Sequence, residues 1–148
     1  MNIRKPLILV LGAMLLVLGG GMYLPVLADL QVGNEDWRAF ALSGFITIFC
    51  GGALTSMGWG SSPDFSRRDA LAVTVLAWII LPLFASIPLV LGALNMSITD
   101  ALFESMSGLT TTGATVLSGL DHMPPSILLW RAMLNWIGGI GILATAVA

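Results

Sequence analysis

Three consecutive threonines and a glycine, Thr110–Gly113, are the residues of this sequence best suited to binding an ion. In ion filters, backbone carbonyls replace the water that surrounds a dissolved cation. Glycine permits the unusual backbone angles that aim successive carbonyls in one direction, and threonine adds a hydroxyl oxygen. The pattern favours a cation-binding strand over the two simpler readings, which are a polar surface loop and a turn glycine.

Two charged residues lie near this strand, Glu104 before it and Arg131 after it. Acidic side chains within a membrane are costly, and they are usually paired or functional. Glu104 either supports the strand from behind, draws cations in from the outer mouth, or lies solvated on the vestibule wall. A positive charge would be unfavourable on a cation path, so we predict that Arg131 pairs with Glu104, Asp100 or Asp121 in a structural role.

Residues for covalent chemistry are scarce. The chain has one histidine, His122, and one cysteine, Cys50, and neither has a partner at a catalytic or metal-binding spacing. The net charge of −2 provides no basic surface for nucleic acid. We therefore predict that the protein is not an enzyme and needs no organic cofactor.

The elements that must position these residues are apolar. Only 9% of the residues are charged, and the mean hydropathy is +0.95, whereas soluble proteins carry about 25% charged residues. Four runs predict helices long enough to cross a bilayer, the first of them a retained helix rather than a signal peptide. They are Pro6–Leu30, Trp37–Trp59, Ala70–Leu94 and Ser126–Ala148.

Residues 95–125 interrupt this pattern, because the segment is too polar to span a membrane. A short amphipathic stretch, Asp100–Leu109, comes directly before the threonines. We predict a re-entrant helix capped by Ser97 or Thr99, with Asp100 in a capping or dipole role rather than an ion site. The C-terminal end of this helix, which is partly negative, would favour a cation.

Basic residues predict the orientation, since short cytoplasmic loops are enriched in Lys and Arg. Arg4 and Lys5 precede the first run, and Arg67 and Arg68 lie between the second and third. Both pairs then fall in the cytoplasm, with the N-terminus, while residues 95–125 face outward. The chain ends at Ala148 within apolar sequence, which suggests a longer parent protein.

Glycines and tryptophans in the last run lead to further expectations. Gly138, Gly139 and Gly141 are expected to permit close helix contact, as small residues do in membranes. Trp130 is expected at the membrane interface and Trp136 in helix packing.

The stretches Phe103–Gly108 (FESMSG) and Leu109–Thr115 (LTTTGAT) together resemble the first pore loop of the Trk/Ktr/HKT potassium transporter superfamily. Trp130 and Arg131, with Asn135–Gly141 (NWIGGIG), resemble the start of the helix that follows it. The two helices ahead of the loop are similar to the extra N-terminal pair of the bacterial Trk branch.

The resemblance implies an all-α integral membrane protein in which two N-terminal transmembrane helices precede one helix–pore loop–helix repeat of a potassium-channel-like pore. Residues 1–69 would form the helix pair and residues 70–148 the repeat, with its pore loop at about 95–125. The family has four such repeats in one polypeptide, so this chain would supply the first quarter of the pore.

The resemblance also implies the ligands and the partners. Potassium would bind the carbonyls of Thr111, Thr112 and Gly113 in the selectivity filter, with Thr110 and Ala114 next in line. The expected partners are the remaining repeats, a second copy in a homodimer, the lipid bilayer and a TrkA-like cytoplasmic nucleotide-binding regulatory subunit. The expected location is the bacterial inner membrane.

Two alternatives remain: a helical membrane subunit that conducts nothing, and a sodium-permeable relative. In the plant branch, a serine in place of the first filter glycine goes with sodium preference, so Gly113 favours potassium. The residues are compatible with passive flow and with coupling to protons or sodium.

Overall fold

The computed structural model of the chain describes residues 5–60 and 66–147, and regular structure within these ranges is entirely helical. Arg4, the loop residues Pro63 and Asp64, and Ala148 lie outside the described residues. The elements are α1 (Lys5–Gly21), α2 (Tyr23–Val32), α3 (Trp37–Gly58), α4 (Arg67–Leu91), α5 (Ile98–Leu109), a short 3₁₀ turn (Leu120–His122) and α6 (Pro125–Val147).

Three stretches within the described residues are long and apolar enough to cross a membrane. They are Lys5–Val32, which combines α1 and α2, together with α3 and α4. Helix α6 runs for 23 residues, and its crossing of the membrane stays an expectation from the sequence.

The first apolar run is interrupted once, at Met22, where one continuous helix was predicted. The Met22 amide is shared between the carbonyls of Leu18 and Gly19, at 3.2 and 3.3 Å. Pro25 has no amide proton, so it cannot bond the carbonyl four residues earlier, that of Gly21. Met22 itself keeps right-handed helical angles, φ −62° and ψ −19°, so α1 and α2 follow one another as one apolar stretch.

Glycines at seven-residue intervals join α1 to α3. A Cβ atom added at Gly12 would lie 2.6 Å from the backbone of Thr55, and one at Gly19 would lie 2.8 Å from Ile48. Gly51 on α3 would meet the Gly12 carbonyl at 2.9 Å. Since only glycine permits this approach, the two helix backbones lie in direct contact, as small residues allow in membranes.

One apolar core joins the leading helices to the later ones. It contains Met22 and Val26, Phe40 of α3, Ala85 and Leu89 of α4, Leu109 of α5, and Trp130 and Leu134 of α6. The regions predicted as 1–69 and 70–148 therefore share their buried side chains. Leu109, Trp130 and Leu134 anchor α5 and α6 in this core, and these two helices hold the candidate site between them.

Trp130 lies at the centre of this core, so the expectation of an interfacial anchor was wrong. Its side chain is 0% exposed, and its indole nitrogen donates to the Ala85 carbonyl at 3.0 Å. Its ring meets Phe40 edge to face at 6.0 Å. Trp136, expected in helix packing, is instead 70% exposed in this chain.

Candidate functional site

Helix α5 begins at a side-chain cap. Ser97 Oγ accepts the Asp100 amide at 3.1 Å and donates to the Asp100 carboxylate at 2.8 Å. Of the two predicted caps, Ser97 is therefore the one used, and Asp100 serves the first turn, where a carboxylate favours the helix dipole. The cap fixes where α5 starts and so where its C-terminal end meets the threonines.

The backbone after α5 alternates in handedness. Thr111 has φ +57° and Gly113 has φ +75°, while Thr110 has φ −80°. A positive φ is readily adopted by glycine but is a marked outlier for a β-branched residue. Strained backbone of this kind clusters at functional sites, where the surrounding structure must hold it in place.

Ser107 holds this backbone through two of its atoms. Its carbonyl accepts the amides of Thr112 at 3.0 Å and Gly113 at 3.4 Å. Its hydroxyl donates to the Ala114 carbonyl at 2.7 Å. The C-terminal turn of α5 thus fixes the strand on one side, and the Ala114 carbonyl faces the helix.

The hydroxyl of Thr110 also turns back toward α5. It donates to the Met106 carbonyl at 2.8 Å and lies 2.9 Å from the hydroxyl of Thr112. Thr110 ends the helix, so its side chain serves the local turn.

The carbonyls of the predicted ligands share one feature with those of their exposed neighbours Thr115 and Val116. Within residues 5–60 and 66–147, no donor bonds the carbonyls of Thr111, Thr112 or Gly113, and all three residues are exposed. Unbonded carbonyl oxygens on accessible backbone are groups that can replace water around a cation.

Glu104 is buried and bonded to the residues that follow the threonines. The residue is 3% exposed, and Oε1 accepts the Val116 amide at 2.7 Å and the hydroxyl of Thr115. Oε2 pairs with the Arg131 guanidinium at 2.9 Å. The reading of Glu104 as a solvated residue is therefore wrong, and Glu104 is the partner of Arg131 among the three carboxylates considered.

Thr115 is the residue whose importance the sequence did not reveal. Its hydroxyl donates to Glu104, accepts from Arg131 at 2.6 Å and accepts the Leu117 amide at 3.0 Å. Thr115 connects α5, α6 and the strand through one oxygen atom. Nothing in its residue type separates it from the other threonines, because its role depends on two side chains from other elements.

Gly138 brings α6 against the start of the strand. A Cβ atom at Gly138 would overlap the Leu109 carbonyl, and one at Gly108 would lie 2.8 Å from Leu134 Cβ. Close contact is therefore confirmed for Gly138. It is wrong for Gly141, which has nothing within 4 Å, and Gly139 only approaches a Thr111 methyl group, at 4.0 Å.

Comparison with known proteins adds independent findings. The family model TrkH, described as a cation transport protein, matches residues 37–148. The Trk system potassium uptake protein TrkH of Halomonas elongata is 41% identical over 140 residues, covering 94% of this chain and 29% of that protein. The protein of the same name from Escherichia coli K12 is 38% identical, with the same coverage.

A solved structure is also similar. The crystal structure of the potassium transporter TrkH from Vibrio parahaemolyticus superposes with a TM-score of 0.89 at 38% identity, covering 99% of this chain and 31% of that one. The chain thus spans less than a third of the length of these relatives.

Proposed function

Because the chain belongs to the TrkH family of cation transport proteins, which are transporters and not enzymes, we propose that it forms the first quarter of a selective potassium pore. In this proposal residues 95–125 are the pore loop, and Thr111, Thr112 and Gly113 contribute carbonyl ligands to the filter. The relatives named above are potassium uptake proteins, and the transported ion is taken from them.

The single observation that carries the proposal is the set of three unbonded carbonyls on exposed residues whose backbone alternates in handedness. Positive φ at Thr111 and Gly113 separates this strand from an ordinary loop. A cation that sheds its water needs several oxygens at close range, and such a strand can present them. The Ala114 carbonyl already accepts the Ser107 hydroxyl, so we rank Ala114 after the three proposed ligands.

The supporting groups fit a filter that must keep its shape. Glu104, Arg131 and Thr115 form a linked set behind the strand. The Arg131 side chain is largely buried and bonded to Glu104, so its charge is compensated there. A preorganised set of carbonyls discriminates between cations only while its geometry is maintained.

The assembly around this chain belongs to the same proposal. Three further repeats would complete the pore, a second copy would form a homodimer, and a TrkA-like nucleotide-binding subunit would regulate it from the cytoplasm. The membrane is the bacterial inner membrane, and the N-terminus is cytoplasmic. This orientation rests on Lys5, Arg67 and Arg68 among the described residues.

Gly113→Ser, made in the full-length gene and expressed in potassium-starved cells that lack other uptake systems, tests the filter. Within this chain a Cβ at Gly113 meets nothing within 4 Å, so the change acts here through the positive φ rather than through a clash. A side chain at positive φ costs about 1–2 kcal/mol, which corresponds to roughly a tenfold loss of potassium uptake.

Gly119→Ser is the matched control. Gly119 has φ +70° and the same open surroundings, but it lies beyond the strand. We expect it to retain uptake and potassium preference. Unchanged uptake in Gly113→Ser would refute the filter assignment. Strong sodium uptake by the unsubstituted protein would favour the sodium-permeable alternative, and no uptake of either ion would favour the non-conducting subunit.

A further inference from the structure

Two buried aspartates flank the turn that joins α2 to α3. Asp29, within α2, is 0% exposed, and Asp36, at the start of α3, is 4% exposed. The same distribution of basic residues that turns residues 95–125 outward also predicts an outward-facing acidic loop around Glu35. Glu35, adjacent to Asp36, does fit that description, since it is exposed and pairs with Arg38 at 3.8 Å. Asp29 and Asp36, in contrast, are buried and do not belong to an exposed acidic surface.

Asp29 reaches the beginning of α6. Its Oδ1 accepts the Ser126 amide at 3.2 Å. The first amides of a helix have no partner within the helix, and Pro125 has none to offer. A carboxylate at this end is also favoured by the helix dipole. Asp29 thus acts as a cap supplied by a residue 97 positions away in the chain.

Asp36 reaches the end of α4 in the same manner. Its Oδ1 accepts the Ala93 amide at 2.6 Å, directly after the last turn of α4. The turn that follows places Asn95 at φ +42° and leads into α5. A hydrogen bond to a charged acceptor is among the stronger ones available to a backbone amide.

The two bonds hold the two ends of one segment. Ala93 and Ser126 bracket α5, the threonine strand and the 3₁₀ turn, which together make up the proposed pore loop. Each carboxylate also keeps one buried oxygen, Oδ2, without a hydrogen-bond partner. The bonds from Oδ1 are the contacts through which each carboxylate acts on the ends of the segment.

We propose that Asp29 and Asp36 are positioning residues, through which the leading helices set the separation of the two ends of the pore loop and so the spacing of the filter carbonyls. This inference rests on the proposed function. It assigns the leading pair of helices a part in ion selectivity in addition to crossing the membrane.

Hydrogen–deuterium exchange of the full-length protein in lipid nanodiscs tests the contacts directly. Asp29→Ala is expected to accelerate exchange at Ser126 about tenfold and to leave Ala93 unchanged, while Asp36→Ala does the reverse. Glu35→Ala, the exposed neighbour, should change neither amide. Equal acceleration in all three variants, or none in any of them, would overturn the proposal.

Asparagine variants cover the case in which an alanine variant does not accumulate in the membrane. Asn keeps a carbonyl acceptor in the same place, so Asp29→Asn and Asp36→Asn should give smaller accelerations at the same two sites. Acceleration at both sites by either variant would contradict two separate contacts.

Uptake measurements then test the effect on the apparent KM for potassium and on the preference for potassium over sodium. We expect the apparent KM for potassium to rise about fivefold in each alanine variant, equivalent to one net hydrogen bond of about 1 kcal/mol, with partial rescue by asparagine. An unchanged KM and unchanged potassium preference, with altered exchange, would refute the positioning role. If the unsubstituted protein transports nothing, the proposed function fails, while the exchange results still decide the contacts.

Discussion

The carboxylate of Glu104 is fully used within the chain. One oxygen accepts a backbone amide and a hydroxyl, and the other pairs with Arg131. Removing one member of a buried ion pair leaves an uncompensated charge and costs about 3–5 kcal/mol. Replacing both members costs less, because no charge remains. This asymmetry makes the pair testable as a unit.

Arg131→Ala is expected to abolish most potassium uptake, since Glu104 would remain buried and charged behind the strand. Glu104→Gln should also reduce uptake, and the double variant Glu104→Gln/Arg131→Ala should lose less than the sum of the two. A double-mutant cycle on initial uptake rates, corrected for protein level, measures the difference. Strictly additive losses would show that the two side chains act independently.

Thr115 offers a finer test, because its hydroxyl alone makes the contacts. Thr115→Val keeps the shape but leaves Glu104 without one donor, and we expect uptake to fall about fivefold, as for one lost hydrogen bond. Thr115→Ser should retain most uptake. The matched control is Thr74→Val, whose hydroxyl bonds only its own helix at Ala70. An equal loss from both valine variants would point to a general effect of the substitution.

The contact between α5 and α6 depends on the absence of a side chain at Gly138. Gly138→Ala would gain up to about 1 kcal/mol of helix propensity. The new Cβ would overlap backbone rather than a movable side chain, and overpacking of this kind costs about 1–3 kcal/mol. Because the overpacking cost exceeds the gain in helix propensity, Gly138→Ala should lower the temperature of thermal unfolding in detergent. Gly141→Ala, with open surroundings, should be neutral or stabilising, and equal melting temperatures would contradict the contact.

Apolar runs and local caps account for what sequence could predict of these elements. Charge alone predicted a carboxylate partner for Arg131 and left three candidates, of which the structure uses Glu104. The Ser97 cap of α5 and the end of that helix at Leu109 follow from residue types at short separations. The break at Met22, the burial of Asp29 and the central place of Trp130 do not. The positions of Asp29 and Trp130 depend on partners far along the chain, Ser126 and Ala85. A pattern of neighbouring residues cannot predict such partners.

On the scale of the whole molecule, the leading helices, α5 and α6 share one core. Phe40 of α3 contacts Trp130 of α6, and the same α6 carries Arg131, which bonds Thr115. A displacement of the leading helices would therefore reach the strand through two successive contacts. This connection agrees with the contacts of Asp29 and Asp36 at the ends of the loop.

The exposure of residues 111–116 indicates that this chain cannot surround a cation by itself. Thr111–Val116 are accessible throughout, although a cation needs carbonyls on several sides. We expect the 148-residue chain, reconstituted in sealed liposomes, to give no potassium flux above empty vesicles, while the full-length protein does. Adding valinomycin would show that the vesicles hold a gradient. Flux from the chain alone that disappears with Gly113→Ser would mean that copies assemble a filter by themselves, and the proposed first-quarter role would then be wrong.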